Sequence, residues 1–320
     1  MITAQLTYHE ARTRAIGREL MANPDAIVIG PSLSLPFNPD DRLLERFPSQ
    51  VLIPPYSELA TAAAGVGAAI GGLRPLVALS TASFMYYAWP AIVNEAPLVR
   101  YLSGGGASAP VAFHVHSGSR RGGGPQHEHT PQAMLHGIPG LRVVAPGTPA
   151  DVDAALHLAL TGPDPVVIVD HVLLSEVRGT VPGNPADLGP SLLRSGSDAL
   201  LVASSEMTQR ALAAARALES EGLSVGVLNL PVLAPAPVAE VVSAASDYRI
   251  VAFVEESRAA GSLGAFLLAS LLAHRPESIS TALICTGDAP APFALELLDR
   301  VVPTQGWIVA ETRRLIERAS

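Results

Sequence analysis

Two kinds of hydrophobic pattern alternate along almost the whole chain, and this alternation is the feature that most restricts how it can fold. Short, continuous apolar runs of strand type include AIVIG (26–30), RPLVALS (74–80) and PVVIVDH (165–171). Between them lie segments with helical spacing, such as the one that starts at Thr148, a good N-cap residue, and stops at Gly162. Continuous apolar strands separated by helices are typical of parallel sheets covered by helices on both faces. The sequence therefore predicts an α/β fold.

A stretch rich in proline, glycine and serine interrupts this alternation near residue 180 and divides the chain in two. Strand-type and helix-type patterns resume after it with ALLVASS (199–205). At 320 residues, the chain has the length of roughly two ordinary domains. We therefore predict one α/β domain at 1–180, a linker at 181–197 and a second α/β domain at 198–320.

The amino-acid composition limits the partners of the chain. The formal net charge is −8 without a basic run, so we expect neither a nucleic acid nor a membrane as a partner. Hydrophobic residues make up 48% and charged residues only 16%, which predicts large cores and a surface partly covered by another chain. The N-terminal segment is charged and amphipathic without an apolar signal core, so the expected location is the cytoplasm.

The basic residues and the cysteine set further limits on the chemistry. All 21 residues counted as lysine or arginine are arginine, which excludes a Schiff-base lysine, an anchored pyridoxal phosphate and the lysine of a phosphate-binding loop. The single cysteine, Cys285, excludes an internal disulfide and a zinc site built from several cysteines. It lies in the apolar run TALIC (281–285), where we expect a buried strand residue rather than a nucleophile.

Four histidines lie in two close pairs, and their spacing is compatible with several kinds of site. His114 and His116 lie two residues apart in a strand pattern, so both side chains point to one face, as two metal ligands would. His127 and His129 follow in the glycine-rich stretch GGGPQHEHTP (122–131). A strand followed by such a loop is also typical of a phosphate or cofactor site. Metal ligation, phosphate binding, proton transfer and ordinary surface histidines all remain open at this point.

Glu58 opens an alanine-rich helical pattern directly after Ser57, a plausible N-cap residue. A carboxylate in the first turn of a helix is favoured by the helix dipole, and this alone is enough to explain it. A catalytic role for Glu58 needs support from elsewhere in the sequence.

The order of several longer segments along the chain is similar to that of a known family. The segments are PPYSELATAAAGVGAAIGGLRPLV, FMYYAWPAIVNEAPLVRYLSGG, GGGPQHEHTPQAMLHGIPGLRVVAPGTPADVDAAL, DPVVIVDHVLLSE, GLSVGVLNLPVLAPAP, VAFVEESRAAGSLGAFLLA and GDAPAPFALELL. Together they resemble the β subunit of the thiamine-diphosphate-dependent 2-oxo acid dehydrogenase decarboxylase components (pyruvate or branched-chain type) in the transketolase superfamily. The resemblance is colinear and nearly full length. It implies a transketolase-like pyrimidine-binding domain followed by a transketolase C-terminal domain.

The resemblance assigns roles to three residues. The glutamate of the family's ISE motif falls on Glu58, where it would hydrogen-bond the aminopyrimidine ring nitrogen of thiamine diphosphate and promote activation of the cofactor. The aromatic residue against the pyrimidine falls on Phe84, although the residue pattern alone fits a core aromatic equally well. The histidine of the family's QHS motif falls on His127, where it would orient or protonate the substrate carbonyl or the acyl acceptor.

The motif that binds the diphosphate is missing from this chain. Thiamine-diphosphate enzymes hold the diphosphate through Mg²⁺ with a G-D-G motif and a later asparagine, whereas the only GD pair here, Gly287–Asp288, is followed by alanine. The resemblance therefore implies an α subunit that supplies the diphosphate and Mg²⁺ half of the site, with two α and two β chains in the usual assembly. It implies no metal ligand in this chain. The implied enzyme is active only with its α partner, and it takes a 2-oxo acid or a ketose and transfers an acyl or ketol unit.

Several positions depart from the family's pattern and leave the acceptor open. Pro31 and Ser32 follow the first strand, where an acidic residue is usual, and Glu128 and His129 replace a typical Ser-Gln pair. Two further departures are Pro90 and Ala234. A dedicated biosynthetic enzyme is therefore an alternative to a subunit of a lipoyl-dependent complex. Two further alternatives remain. One is a non-catalytic scaffold subunit, and the other is a metal-dependent enzyme that uses the four histidines.

Overall fold

The chain forms two α/β units, each built around a mainly parallel sheet, and this confirms the predicted fold class. In each unit the helices lie in the connections between strands, as the alternating pattern predicts. The computed structural model describes residues 3–31, 42–118, 122–275 and 279–319.

Two segments belong to the second unit although they lie before the predicted start of the second domain. The first unit contains residues 1–117 and 137–188, and the second contains Gly118–His136 together with residues 189–320. The predicted linker at 181–197 holds an antiparallel edge strand of the second sheet, Ser191–Arg194. A four-residue edge strand carries too short a pattern to be recognised among prolines and glycines.

The first unit is built around six parallel strands, which follow one another across the sheet in the order β6-β7-β5-β4-β2-β3. A separate antiparallel ribbon joins β1 to β8. The strands of this unit are β1 (Ala4–Thr7), β2 (Ala26–Ile29), β3 (Val51–Leu52), β4 (Arg74–Thr81), β5 (Ala112–Ser117), β6 (Arg142–Val144), β7 (Val166–His171) and β8 (Arg178–Val181).

Two of the long helices of the first unit begin at residues whose side chains cap them. Thr7 and Glu10 form a reciprocal capping box at the start of the first helix. The Thr148 side chain accepts the N–H of Asp151 at the start of the seventh. The helices are α1 (Tyr8–Ala22), α2 (Arg42–Arg46), α3 (Glu58–Ile70), α4 (Ala82–Met85), α5 (Val99–Leu102) and α7 (Pro149–Thr161), with 3₁₀ turns at Tyr86–Ala88 and Val172–Leu174 and a π-helix at Pro90–Glu95.

The order of the strands reverses beside β2, which is where open α/β sheets have their ligand-binding crevice. This strand comes before β3 and β4 in the chain, and these two lie on opposite sides of it. In open α/β sheets, ligands bind at the carboxyl ends of the strands where the order reverses in this way. Gly30, directly after β2, lies so close to β4 that a Cβ atom on it would be 2.6 Å from the carbonyl oxygen of Ala78. The backbone at the entrance to the crevice therefore depends on a glycine.

The second unit contains a five-stranded sheet in the order β14-β13-β10-β11-β9, in which only β9 is antiparallel to its neighbour. Its main core lies between this sheet and two long helices, α8 and α12. The elements are α6 (Gln132–Leu135), β9 (Ser191–Arg194), β10 (Ala199–Ala203), α8 (Ser205–Glu219), β11 (Val225–Asn229), β12 (Val232–Ala234), α9 (Val238–Ala244), β13 (Ile250–Arg258), α10 (Leu263–His274), β14 (Ser280–Thr286), α11 (Leu295–Leu298) and α12 (Gln305–Ala319).

Candidate functional site

Glu58 is the first residue of α3, at the carboxyl edge of the first sheet. Ser57 precedes it as the N-cap, and its side-chain oxygen accepts the N–H of Ala60 at 3.3 Å. The Glu58 side chain is half-buried, so its carboxylate is held beside the positive end of a 13-residue helix. This position suits a carboxylate that receives or returns a proton at the edge of the crevice.

Phe84 lies in α4, the short helix that directly follows β4. Its ring is half-buried, whereas the neighbouring Met85 is fully buried in the core. The next segment, Tyr86–Ala88, packs against α3. Glu58 and Phe84 therefore follow β3 and β4, the two strands that flank β2 in the same sheet.

His114 and His116 both point to one face of β5, as their spacing predicts, and there they meet a buried carboxylate. The Nε2 atom of His114 is 3.0 Å and the Nδ1 atom of His116 is 3.9 Å from Oδ2 of Asp170, on the neighbouring strand β7. The guanidinium of Arg12, from α1, donates to the same oxygen at 2.9 Å. Burial raises the pKa of Asp170, but the hydrogen bond from His114 and the charge of Arg12 together hold that pKa well below its ordinary value.

These contacts bear on the hypothesis of a metal site. Within the described part of the chain, His114, His116 and Asp170 are the one group of three or more such side chains whose possible ligand atoms all lie within 4.8 Å. However, the guanidinium of Arg12 lies against Oδ2, where it repels a cation, and Oδ1 accepts the backbone N–H of His171 at 2.7 Å. We therefore assign the group to an internal ion-pair network.

His127 belongs to a loop of the second unit, Gly118–His136. Its Nδ1 atom lies 3.2 Å from the carbonyl oxygen of Gly123. Because a carbonyl oxygen only accepts hydrogen bonds, Nδ1 carries a proton, and Nε2 has the lone pair in the neutral ring. The contact of the half-buried imidazole thus favours the tautomer with the proton on Nδ1.

Glu128 and His129, the residues that depart from the family's pattern, contact the backbone of the same loop. The Oε1 atom of Glu128 accepts the N–H groups of Gly122 and Gly123. The carbonyl oxygen of His129 accepts the N–H of Gly118 at 2.8 Å. The side chain of Glu128 therefore stabilises the loop, which the sequence pattern alone did not reveal, whereas the contact of His129 is made by its backbone.

One face of α3 is apolar and exposed. Leu59, Ala63, Gly67 and Ile70 repeat at helical spacing on this face, and all four are exposed. Gly65, on the opposite face, packs so closely on β4 that a Cβ atom would lie 2.4 Å from a methyl group of Val77. Gly65 therefore packs closely against a strand, whereas Gly67 lies on the exposed face.

The second unit contains a small cavity between the carboxyl ends of β10 and β13. Its volume of about 20 Å³ is enough for one water molecule and too small for a substrate. Glu255 lines it, and burial raises the pKa of this carboxyl to about 7, although the N–H of Gly264 donates to it. Burial, and then the charge of Glu255, raises the pKa of the nearby thiol of Cys285 to about 12. Cys285 is a buried strand residue, as expected.

Comparison with protein families identifies both units. The model of "Transketolase, pyrimidine binding domain" matches residues 4–175, and that of "Transketolase, C-terminal domain" matches residues 191–308. The chain belongs to the transketolase family. This result confirms the resemblance inferred from the order of the segments, including the identity of the two domains.

Relatives of this transketolase-family chain match it over nearly its full length. "Pyruvate dehydrogenase E1 component subunit beta-2, mitochondrial" of Oryza sativa subsp. japonica is 30% identical over 98% of this chain and 87% of its own length. "Acetoin:2,6-dichlorophenolindophenol oxidoreductase subunit beta" of Cupriavidus necator is 27% identical over 98% of both chains. A solved structure of a "split gene transketolase, inactive beta4 tetramer" has a TM-score of 0.79 at 24% identity over 98% of both chains, which shows the shared fold.

The expected cytoplasmic location stays a prediction, because some of these relatives are mitochondrial. Within the described residues, no helix is both long enough and apolar enough to cross a membrane.

Proposed function

We propose that this chain is the β-type subunit of a heteromeric thiamine-diphosphate-dependent enzyme. The enzyme decarboxylates a 2-oxo acid or cleaves a ketose, and it transfers the resulting acyl or ketol unit. The observation that carries the proposal is the match to the pyruvate dehydrogenase E1 β subunit, which spans 98% of this chain. The position of Glu58 and Phe84 beside the crevice of the pyrimidine-binding domain supports it.

The residues around the crevice fit one half of thiamine diphosphate. Glu58 offers a half-buried carboxylate to a ring nitrogen, and Phe84 offers a half-buried aromatic face to a planar ring. Gly30 lets the backbone come close at the strand end between them. When bound, thiamine diphosphate supplies the carbon nucleophile that attacks the substrate carbonyl. Glu58 hydrogen-bonds the ring and holds a proton at its carboxylate, and Phe84 fixes the orientation of the ring.

His127 is proposed to handle protons at the substrate carbonyl or at the acyl acceptor. Its tautomer supports this role, because the hydrogen bond from Nδ1 to Gly123 leaves Nε2 as the nitrogen that takes or gives a proton. In the protonated ring, the same nitrogen donates to a carbonyl oxygen.

An α subunit is proposed to supply the diphosphate and Mg²⁺ half of the site, because this chain has no G-D-G motif. The exposed apolar face of α3 supports a partner at this position, since such a face is stabilised by burial against another chain. Tyr101 and Leu102, 85% and 77% exposed, add large apolar side chains to the surface of the same unit. We infer an assembly of two α and two β chains, in which the β chain alone is inactive.

The proposal is tested by co-expression of the chain with candidate α-type subunits. Thiamine diphosphate binding is measured by calorimetry, and turnover is measured with pyruvate, branched-chain 2-oxo acids and a ketose phosphate, with a dye as electron acceptor. We expect turnover only in the presence of the α subunit. Glu58→Gln is expected to reduce turnover by about 100-fold or more, because it removes the acid–base function.

Asp151→Asn is the matched control, since Asp151 is also a first-turn carboxylate after a capped helix start. If Glu58 only stabilises its helix, the two variants will have the same small effect on stability and both will keep full turnover. Equal turnover of Glu58→Gln and wild type would therefore rule out the proposed role of Glu58.

A further inference from the structure

The side chain of Glu128 folds back onto the backbone of its own loop. Its Oε1 atom accepts the N–H of Gly122 at 3.0 Å and that of Gly123 at 2.8 Å. We propose that Glu128 is a positioning residue for His127: it binds the N–H of Gly123 and so orients this residue, whose own carbonyl, in the following peptide group, fixes the orientation and the tautomer of the imidazole. The predicted effect of Glu128 on the tautomer of His127 does not depend on the function of the protein. The predicted effect on turnover rests on the function proposed for His127.

The first link of this arrangement is the contact between the carboxylate and two successive N–H groups. Two converging backbone donors form a small concave site for an anion, and here the carboxylate of Glu128 fills it. Hydrogen bonds to a charged oxygen are stronger than those to a neutral one. A serine, typical of the family at this position, has a side chain two atoms shorter. The arrangement therefore requires an oxygen acceptor on a side chain longer than that of serine.

The second link is the packing around Gly123. A Cβ atom on this residue would lie 3.2 Å from Cγ of Glu128 and 3.3 Å from Cβ of His127. Gly122, with φ of +120°, adopts a backbone conformation that favours glycine. Gly123 is thus enclosed by the two side chains: its N–H donates to Glu128, and its carbonyl contacts the His127 ring.

The third link is the direction of the Glu128 carboxylate. Because Oε1 is bound to the loop backbone, this oxygen is directed toward its own loop. Two competing hypotheses are that Glu128 binds the substrate directly and that it only stabilises the fold. Neither requires that the state of the His127 ring depend on Glu128.

The ring state can be measured directly in the full-length chain. Histidine labelled with ¹⁵N is incorporated, and the signals of His127 are assigned with the variant His127→Gln. At a pH where the ring is neutral, the ¹⁵N shifts report which nitrogen carries the proton. We expect the Nδ1–H form in wild type and in Glu128→Gln, which keeps an oxygen acceptor. In Glu128→Ala we expect a shift toward the mixture of tautomers that a free imidazole adopts.

Two further variants keep the measurement decisive. Glu128→Ser, the family's usual residue, is expected to behave like Glu128→Ala and serves if that variant does not fold. His129→Gln is the matched neighbouring control and is expected to leave the tautomer of His127 unchanged. An Nδ1–H ring that persists in both the alanine and the serine variants would overturn the proposal.

Turnover of pyruvate by the αβ complex then distinguishes a failure of this inference from a failure of the proposed function. If both are right, Glu128→Ala reduces kcat about tenfold and shifts the pH–rate profile with little change in KM, and Glu128→Gln restores both. If the tautomer changes as expected but His127→Gln keeps full turnover, the proposed role of His127 fails and the positioning role stands. If the tautomer does not change, the positioning role fails whatever the turnover.

Discussion

Arg12 and Asp170 form an ion pair of 2.9 Å in which both side chains are almost completely buried. The pair joins α1 to the carboxyl end of β7, across 158 positions of sequence. Each charge is costly to bury alone, and the two are stable only together. The edge of the sheet that holds His114 and His116 is therefore stabilised by charges as well as by apolar packing.

Asp170→Asn is expected to lower the free energy of unfolding by about 3–5 kcal/mol, because the buried guanidinium of Arg12 would lose the negative charge of Asp170. Urea denaturation at pH 7 measures this loss. Asp164→Asn is the control, since Asp164 pairs with Arg142 at 3.4 Å near the surface, and we expect a loss of at most about 1 kcal/mol. Equal losses in the two variants would contradict the structural role of the buried pair.

The same pair predicts how stability depends on pH. The pKa of Asp170 is lowered in the folded chain, so its contribution is fully present above the pKa of the unfolded chain, about 4, and is lost as the pH falls through the lower folded value. The difference in stability between wild type and Asp170→Asn should therefore shrink below pH 4. A difference that does not change between pH 7 and the lowest pH at which both proteins fold would contradict this prediction.

Gly65→Ala and Gly67→Ala should have opposite effects on the chain alone. A methyl group on Gly65 would collide with Val77, which costs about 1–3 kcal/mol. At Gly67 nothing described lies within 4 Å of the added atom, so the better helix propensity of alanine should stabilise the chain by up to about 1 kcal/mol. Thermal denaturation of the two variants measures these effects.

Gly67→Gln tests the exposed face of α3 itself. The longer side chain has room in the isolated chain, and glutamine has a better helix propensity than glycine, so the melting temperature should not fall. If a partner covers this face, the variant should bind the α subunit at least tenfold more weakly in a titration. Unchanged affinity would place the α subunit on another surface.

Glu255 should make the protein less stable as the pH rises from about 4.5 to 7. Burial raises the pKa of its carboxyl to about 7, so in this range the folded chain keeps a proton that the unfolded chain has lost. A shift of this size corresponds to about 3 kcal/mol, which is fully lost above pH 7. Glu255→Gln should remove this slope and be more stable than wild type at pH 8, whereas Glu240→Gln, at an exposed site, should keep it.

Cys285 should react very slowly with thiol reagents in the folded protein. Its pKa of about 12 leaves about one thiolate in ten thousand molecules at pH 8, and the side chain is buried. Iodoacetamide should modify it quickly only in denaturant, as measured by mass spectrometry. Fast modification under native conditions would indicate local opening of β14.

The sequence was sufficient for those parts of the fold that depend on neighbouring residues. The caps at Ser57 and Thr148 and the stop at Gly162 mark helix ends because the capping groups lie within a few residues. Continuous apolar runs likewise indicated the buried parallel strands.

Contacts between distant residues could not be predicted in the same way. Nothing near Arg12 or Asp170 in the sequence indicates that they pair, because a salt bridge depends on how the elements pack. The same is true of the loop around His127, where the resemblance suggested a role for the histidine but not the hydrogen bonds from the glycines to Glu128. Only the three-dimensional arrangement brings those donors onto one oxygen.

The grouping of Gly118–His136 with the second unit has a consequence for protein engineering. Gly124 packs against the ring of Phe293, and the His136 ring lies 2.9 Å from the carbonyl oxygen of Gly261. A hybrid enzyme made by joining two relatives at the segment near residue 185 would therefore separate this loop from the surface that shapes it. Successful recombination should require that the loop be exchanged together with residues 189–320, because the two segments form one unit although they are separated in the sequence.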